Sequence, residues 1–264
     1  MQPFDSRQSA LRFEGHSCPL EPSINLEATM NPDVIQVFIG YDPVESVAWH
    51  TMAASIYRHS SRPVSITPIN IRNLKGVYTR ARDPKQSNEF SFTRFLVPYL
   101  CNFEGKGIFF DCDMMLRGDI AEIFEAMKTQ PDKAVYVVKH TYTPRSDVKY
   151  LNAVQYKYPR KNWSSVVLWD CAHPKNQVVT PEFVNTADAM TLHRFGWLED
   201  KDIGELDVRW NWLVGEYDQA PADVKNAHWT VGGPYFDEYV DTAFAEEWFK
   251  ERDLMQYCLQ RKHV

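Results

Sequence analysis

The chain has 264 residues, of which 44% are hydrophobic, 24% charged and 14% aromatic, with a formal net charge of −6 and a sequence pI of about 5.8. This is enough chain for one large α/β domain or two small ones, and the acidic balance excludes a global basic field for nucleic acid. Five scattered cysteines (Cys18, Cys101, Cys112, Cys171, Cys258) with no Cys-X-X-Cys spacing argue against a disulfide framework or a zinc site and for a reducing compartment.

Residues 1–33 are polar and rich in Ser, Pro and Glu, and read as a poorly ordered tail or a surface wrap. Met30 is a second candidate start. No apolar run reaches the length of a membrane span, and the N-terminus lacks the basic-then-apolar order of a secretory signal, so the expected location is cytoplasmic. Residues 34–40 form the first predicted strand, closed by the turn residues Gly40, Tyr41, Asp42 and Pro43. A helix over 45–59 and a strand over 63–69 complete a β-α-β opening, which predicts a parallel sheet with outer helices. Ligands of such sheets bind beyond the strands' C-terminal ends, where Asp42 falls. Asp42 serves equally well there as a helix cap.

Residues 70–90 form a long polar loop. A helix over 91–100 carries Arg94 among Phe92, Phe95 and Leu96, as a snorkelling surface residue or as a phosphate clamp. The run Gly107 to Leu116 reads as a buried strand interrupted by Asp111-Cys112-Asp113. Alternate strand residues share a face, so both carboxylates point the same way. A bare Asp-X-Asp often marks a surface turn, but the apolar approach Ile108-Phe109-Phe110 favours a site. Two such carboxylates suit an oxygen-loving divalent ion, Mg²⁺ or Mn²⁺.

Further on, the pattern predicts a short helix over 120–127, a strand over 134–139 and a tyrosine-rich excursion over 140–161. A polar entry, Asn162-Trp163-Ser164-Ser165, leads into a strand ending at Asp170. A helix over 180–195 precedes an acidic, turn-like stretch over 197–204. His228 lies shortly before Gly232-Gly233, where backbone can approach a ligand closely, although a lone His is more often structural. A final helix over 244–259 ends in basic residues. Packing on the domain accounts for it, and a peripheral membrane-surface contact is the alternative.

Six elements taken in order resemble the retaining nucleotide-sugar transferases of glycosyltransferase family 8 and related bacterial glycosyltransferase-like proteins. They are Gly40-Tyr41-Asp42, Phe92-Thr93-Arg94-Phe95, Phe110-Asp111-Cys112-Asp113, Asn162-Trp163-Ser164-Ser165, Trp210-Asn211 and His228-Trp229-Thr230. The resemblance implies a GT-A-like α/β fold, a mixed and mainly parallel sheet flanked by helices, over 34–264. It implies hexose transfer from a nucleotide sugar, UDP-linked by preference, to a saccharide or glycolipid acceptor. By the same resemblance Asp111, Asp113 and His228 would hold Mn²⁺, with Mg²⁺ second, and Asp111 would also approach the ribose. Asp42, with Gly40 and Tyr41, would hold the base or ribose. Arg94, Asn162 and Asp200 would act at the donor sugar, and Gly232 and Gly233 would lie along the donor. The family's Gly is Ser165 here, its Gln is Lys201, and its Lys after the metal-binding His is absent from Gly232-Gly233-Pro234-Tyr235. Lys161 is the candidate replacement for that charge. Two rival readings stand beside this one: a nucleotide-sugar-binding protein without turnover, and a haloacid-dehalogenase-type phosphatase using Asp111 as nucleophile.

Overall fold

In the computed structural model, residues 34–83, 86–146, 151 and 159–256 are described. All of them belong to one compact unit, Asn31–Val264. The predicted tail and the basic end of the last helix lie outside the described residues, as do residues 147–150 and 152–158 of the tyrosine-rich excursion.

The β-α-β opening forms as the hydrophobic pattern requires. Strand β1 (Ile35–Gly40) is followed by helix α1 (Ser46–His59), and strand β2 (Val64–Ile69) lies parallel to β1. Strand β3 (Lys106–Phe110) pairs with β1 on the other side, also parallel. Between β2 and β3, a tight turn at Thr93–Leu96 runs into the single turn of α2 (Val97–Leu100), with Pro98 in its first turn, where the missing N–H does no harm.

The run 107–116 is not one strand. The chain leaves the first sheet at Phe110 and re-forms as β4 (Met114–Leu116) in a second sheet, so Asp111, Cys112 and Asp113 are the joint between the two. The residues on both sides of the joint, 107–110 and 114–116, are buried, and apolar flanks carry no sign of a change of sheet. After β4 come a tight turn at Ile120–Phe124, helix α3 (Glu125–Thr129) and strand β5 (Val135–Val137). Strand β6 (Val166–Asp170) then runs antiparallel between β3 and β5. The helix predicted over 180–195 is two helices, α4 (Pro181–Thr186) and α5 (Ala189–His193). Asp188 restarts the second by accepting from the Thr191 N–H at 2.9 Å.

Strand β7 (Ile203–Glu205) completes the six-stranded sheet, ordered β2-β1-β3-β6-β5-β7 and parallel except for β6. The second sheet is β4-β9-β8, with β8 (Trp212–Leu213) and β9 (Asn226–His228). Helix α6 (Ala245–Gln256) packs against α1, where Arg58 Nε donates to the Glu251 carboxylate at 2.9 Å.

These directions define two edges. The C-terminal ends of β1, β3 and β5 and the start of β6 share one edge, which gathers 41–45, 111–113, 138–140 and 162–165. The end of β6 and the entry to β7 lie at the other, where the Ala134 N–H meets the Asp202 carbonyl at 2.8 Å. The near edge is where ligands bind in open α/β sheets.

Candidate active site

Cross-strand pairing makes the centre of the site. Met114 stands opposite His228 in the β4/β9 ladder, and the Trp229 N–H donates to the Asp113 carbonyl at 2.9 Å. Residues over a hundred positions apart are thereby locked side by side. Asp111, Asp113 and His228 can each present a ligand atom such that all lie within 4.8 Å of one another. His228 Nε2 is 3.3 Å from Asp113 Oδ1. Two carboxylates and an imidazole on this scale fit a divalent ion ligated at roughly 2.1 Å, after a small contraction.

The His228 tautomer follows from its neighbours. The Ser165 hydroxyl donates to the Asn162 carbonyl at 2.7 Å, so its oxygen accepts from Asn211 Nδ2 at 2.8 Å. The same Nδ2 reaches the Asn162 carbonyl at 3.3 Å. Asn211 therefore turns Oδ1 towards His228 Nδ1, 2.8 Å away, and that nitrogen is the donor. Nε2 is left with its lone pair facing the two aspartates, which is how outer partners orient metal-ligating histidines. Asn211, fully buried, was missed as a functional residue, although it stands in the shared Trp210-Asn211 element. Ser165, where a Gly was expected, is a working member of this network.

Arg94 is buried rather than snorkelling. Its guanidinium lies 2.7 Å from Asp111 Oδ1, donates to the Ser91 and Ser164 carbonyls, and sits near the rings of Phe90 and Phe109. Arg94, Lys161 and Arg80 all act electrostatically on His193, and with burial, the largest influence, they push that imidazole down to about 3. Lys161 is itself buried, so this edge holds two buried cationic side chains, Arg94 and Lys161.

Asp42 caps the turn that follows β1. It accepts from the Val44 N–H and, across the loop, from the Glu89 N–H, both at 2.9 Å. The structure thus gives it the capping work of the two readings. Tyr41 meets Trp49 edge-on. The three glycines named for the donor are close-packed against aromatic rings instead. A Cβ on Gly40 would come within 2.2 Å of Phe90, on Gly232 within 2.3 Å of Tyr239, and on Gly233 within 2.2 Å of Tyr235. Tyr235 in turn donates to buried Glu45 at 2.5 Å, beneath Cys112. Burial, then the charges of Glu45, Asp113 and Asp111, drive the Cys112 thiol up, so it stays protonated.

Asn162, held at φ 61°, donates to the Tyr142 hydroxyl at 2.8 Å and to Thr230 at 3.3 Å. It joins the near edge to the segment after His228. Asp200 does not join. It opens the turn before β7, at the far edge, with its side chain 86% exposed and paired to Arg160. The resemblance gave Asp200 a place at the sugar, whereas β7 runs parallel to β5, so the β7 entry lies at the edge opposite the ends of β1, β3 and β5.

No protein-family model matches the chain. Among solved structures, the bifunctional glycosyltransferase WbbM superimposes with a TM-score of 0.57 at 13% identity, over 88% of this chain and 50% of its own. GlyE of Streptococcus pneumoniae TIGR4 gives 0.54 at 14%, over 84% and 61%. The galactosyltransferase LgtC, solved with donor and acceptor sugar analogs, gives 0.54 at 9%, over 86% and 98%. This chain thus spans half the length of WbbM and less than two thirds of GlyE. The likeness is one of fold, and the fold is that of the GT-A glycosyltransferases. In sequence, the chain is 45% identical over 225 residues to Protein CDI of Arabidopsis thaliana, covering 83% of this chain and 86% of that protein. It belongs to the family of Protein CDI.

Proposed function

We propose that this chain is a metal-dependent glycosyltransferase that moves a hexose from a UDP-linked sugar to a saccharide or glycolipid acceptor. The observation that carries the reading is the Asp111-Asp113-His228 cluster at the joint of the two sheets, with the His228 tautomer set by Asn211. Retention of configuration rests on the resemblance to family 8 alone. When bound, a divalent ion, Mn²⁺ by preference and Mg²⁺ second, offsets the negative charge that develops on a diphosphate leaving group.

The chain's own residues do the rest. Arg94 holds Asp111 in place, and Lys161, next to Asn162 in the chain, would supply a cation to the phosphates. Lys161 thereby stands in for the lysine missing after His228. Asn162, Tyr142 and Thr230 form a hydrogen-bonded wall suited to a sugar. Tyr41 and the backbone near Asp42 would receive the nucleoside. Among the described residues no helix is long and apolar enough to cross a membrane, so a glycolipid acceptor would be met at the membrane surface.

Thermal unfolding with Mn²⁺ and UDP, GDP, ADP or CDP tests the reading, because a ligand of the native state raises the melting temperature by mass action. A rise with UDP that needs Mn²⁺ and disappears in Asp113→Ala is expected. No rise with any nucleotide would overturn the reading. A binding protein without turnover is the second reading, favoured by the exposed, remote position of Asp200. Mn²⁺-dependent release of UDP from a UDP-hexose separates the two.

A further inference from the structure

His140 lies three residues beyond β5, at the same edge as Asp111. Its ring is 7% exposed. Nδ1 is 2.7 Å from the Tyr217 hydroxyl, whereas Nε2 is buried and makes no hydrogen bond among the described residues. A buried imidazole that served packing alone would have both nitrogens satisfied, since an unmet buried polar atom costs stability. The surroundings place this one in the site. Tyr142, which accepts from Asn162, meets the His140 ring edge-on at 6.1 Å. Tyr217 stacks on the His140 ring at 6.1 Å, touches Tyr142 at 5.9 Å and packs on Trp212, whose chain neighbour Leu213 stands opposite His228 in the β8/β9 ladder. The indole N–H of Trp163, beside Asn162, binds the His140 carbonyl at 3.1 Å. His228 itself is near enough to act on the His140 charge.

We propose that His140 recognises a hydroxyl group of the sugar carried by the nucleotide, through Nε2, with Tyr217 as the positioning residue. This rests on the nucleotide-sugar reading. The ligand chemistry follows from the imidazole. A neutral ring bonded to Tyr217 at Nδ1 offers either an N–H or a lone pair at Nε2. A sugar hydroxyl both donates and accepts, so it satisfies either form. A phosphate oxygen, which only accepts, would satisfy one. The ring of Tyr142 supplies the apolar contact that a pyranose takes, while Tyr217 is held by its stack on His140 and its packing on Trp212. The location selects the donor sugar, because the cluster of Asp111, Asp113 and His228 would hold the diphosphate and the sugar is joined directly to it. His140 thus occupies, on the near edge, the sugar-facing role that the resemblance gave to Asp200.

The test is a comparison of dissociation constants for UDP and for UDP-glucose, UDP-galactose and UDP-N-acetylglucosamine, all with Mn²⁺, in the full chain. His140→Phe is expected to leave UDP binding unchanged within about twofold and to weaken the preferred UDP-sugar by about tenfold, the scale of one lost hydrogen bond. His140→Gln, which places an amide nitrogen near Nε2, is expected to recover most of that loss. Tyr217→Phe keeps the ring stack and is expected to fall between the two. Equal weakening of UDP and UDP-sugar in His140→Phe would overturn the inference, as would no weakening of either. So would a wild-type chain that binds no UDP-sugar better than UDP. Failure of the wild type to bind UDP with Mn²⁺ would instead remove the nucleotide-sugar reading, and this inference with it.

Discussion

Both edges of the six-stranded sheet carry ion pairs, and they bury them to different degrees. At the near edge Asp111 and Arg94 are paired with side chains only 11% and 7% exposed, and His228, Asn211 and Ser165 are buried around them. In the turn that enters β7 from the far edge, Lys201 and Glu199 pair with side chains 71% and 66% exposed, and Asp200, 86% exposed, reaches out to Arg160. Exposed pairs contribute little to stability, and buried ones seldom repay their desolvation. A chain that wanted stability alone would gain nothing by burying the near-edge charges. Their burial is the signature of a site whose charges must be fixed in position, and it can be tested on each side.

The largest effect is expected from Arg94→Met. Removing one partner of a buried pair leaves an uncompensated charge, which costs about 3–5 kcal/mol. Denaturant unfolding without metal should show that loss as a lower midpoint. Because a cation beside Asp111 would replace part of the missing charge, added Mn²⁺ should stabilise Arg94→Met more than the wild type. If the variant is as stable as the wild type, the near edge is no more sensitive than the far one and the comparison fails.

Asn211→Ala sharpens the comparison by touching neither carboxylate. It frees the His228 ring to turn and leaves Ser165 and the Asn162 carbonyl one donor short. Loss of such an outer partner weakens metal affinity by about 10–100-fold. A Mn²⁺ titration followed by melting temperature should show it. Unchanged Mn²⁺ affinity would mean that the Asn211 contact is packing alone.

The fold was legible wherever local pattern decides it. The β-α-β opening, the buried approach to Asp111 and the polar entry at Asn162 are all readable from apolar periodicity and turn residues. What escaped depends on direction rather than spacing. The change of sheet at Asp111–Asp113 is invisible because the residues on either side of it, Ile108–Phe110 and Met114–Leu116, are apolar and buried. The resemblance put Asp200 at the sugar, but neither it nor the acidic stretch before a short strand says which edge that strand enters, and the β7 entry lies at the far one. Asn211 was visible as part of a motif, but its role needs His228 and Ser165 beside it, from distant parts of the chain. His140 left one usable signal: it follows an apolar strand by a few residues, as Asp42 and Asp111 do, and a histidine there merited the same attention.

The smallest effect is the sharpest discriminator. Asp200→Ala removes a carboxylate that the resemblance places at the sugar and that the strand order places at the far edge, in an exposed pair with Arg160. If strand order is right, UDP-sugar binding with Mn²⁺ and the rate of UDP release should change by less than about twofold, the scale of an exposed ion pair. A residue in contact with the reacting sugar would cost far more, since groups that stabilise charge in a transition state contribute about a hundredfold or more. Steady-state assays on Asp200→Ala and Arg160→Ala together decide it. Near-wild-type rates in both keep catalysis at the near edge, with Asn162 and His140. A hundredfold loss in Asp200→Ala alone would mean that the β7 entry closes onto the site during turnover, and the contrast between the two edges would then describe only the unliganded chain.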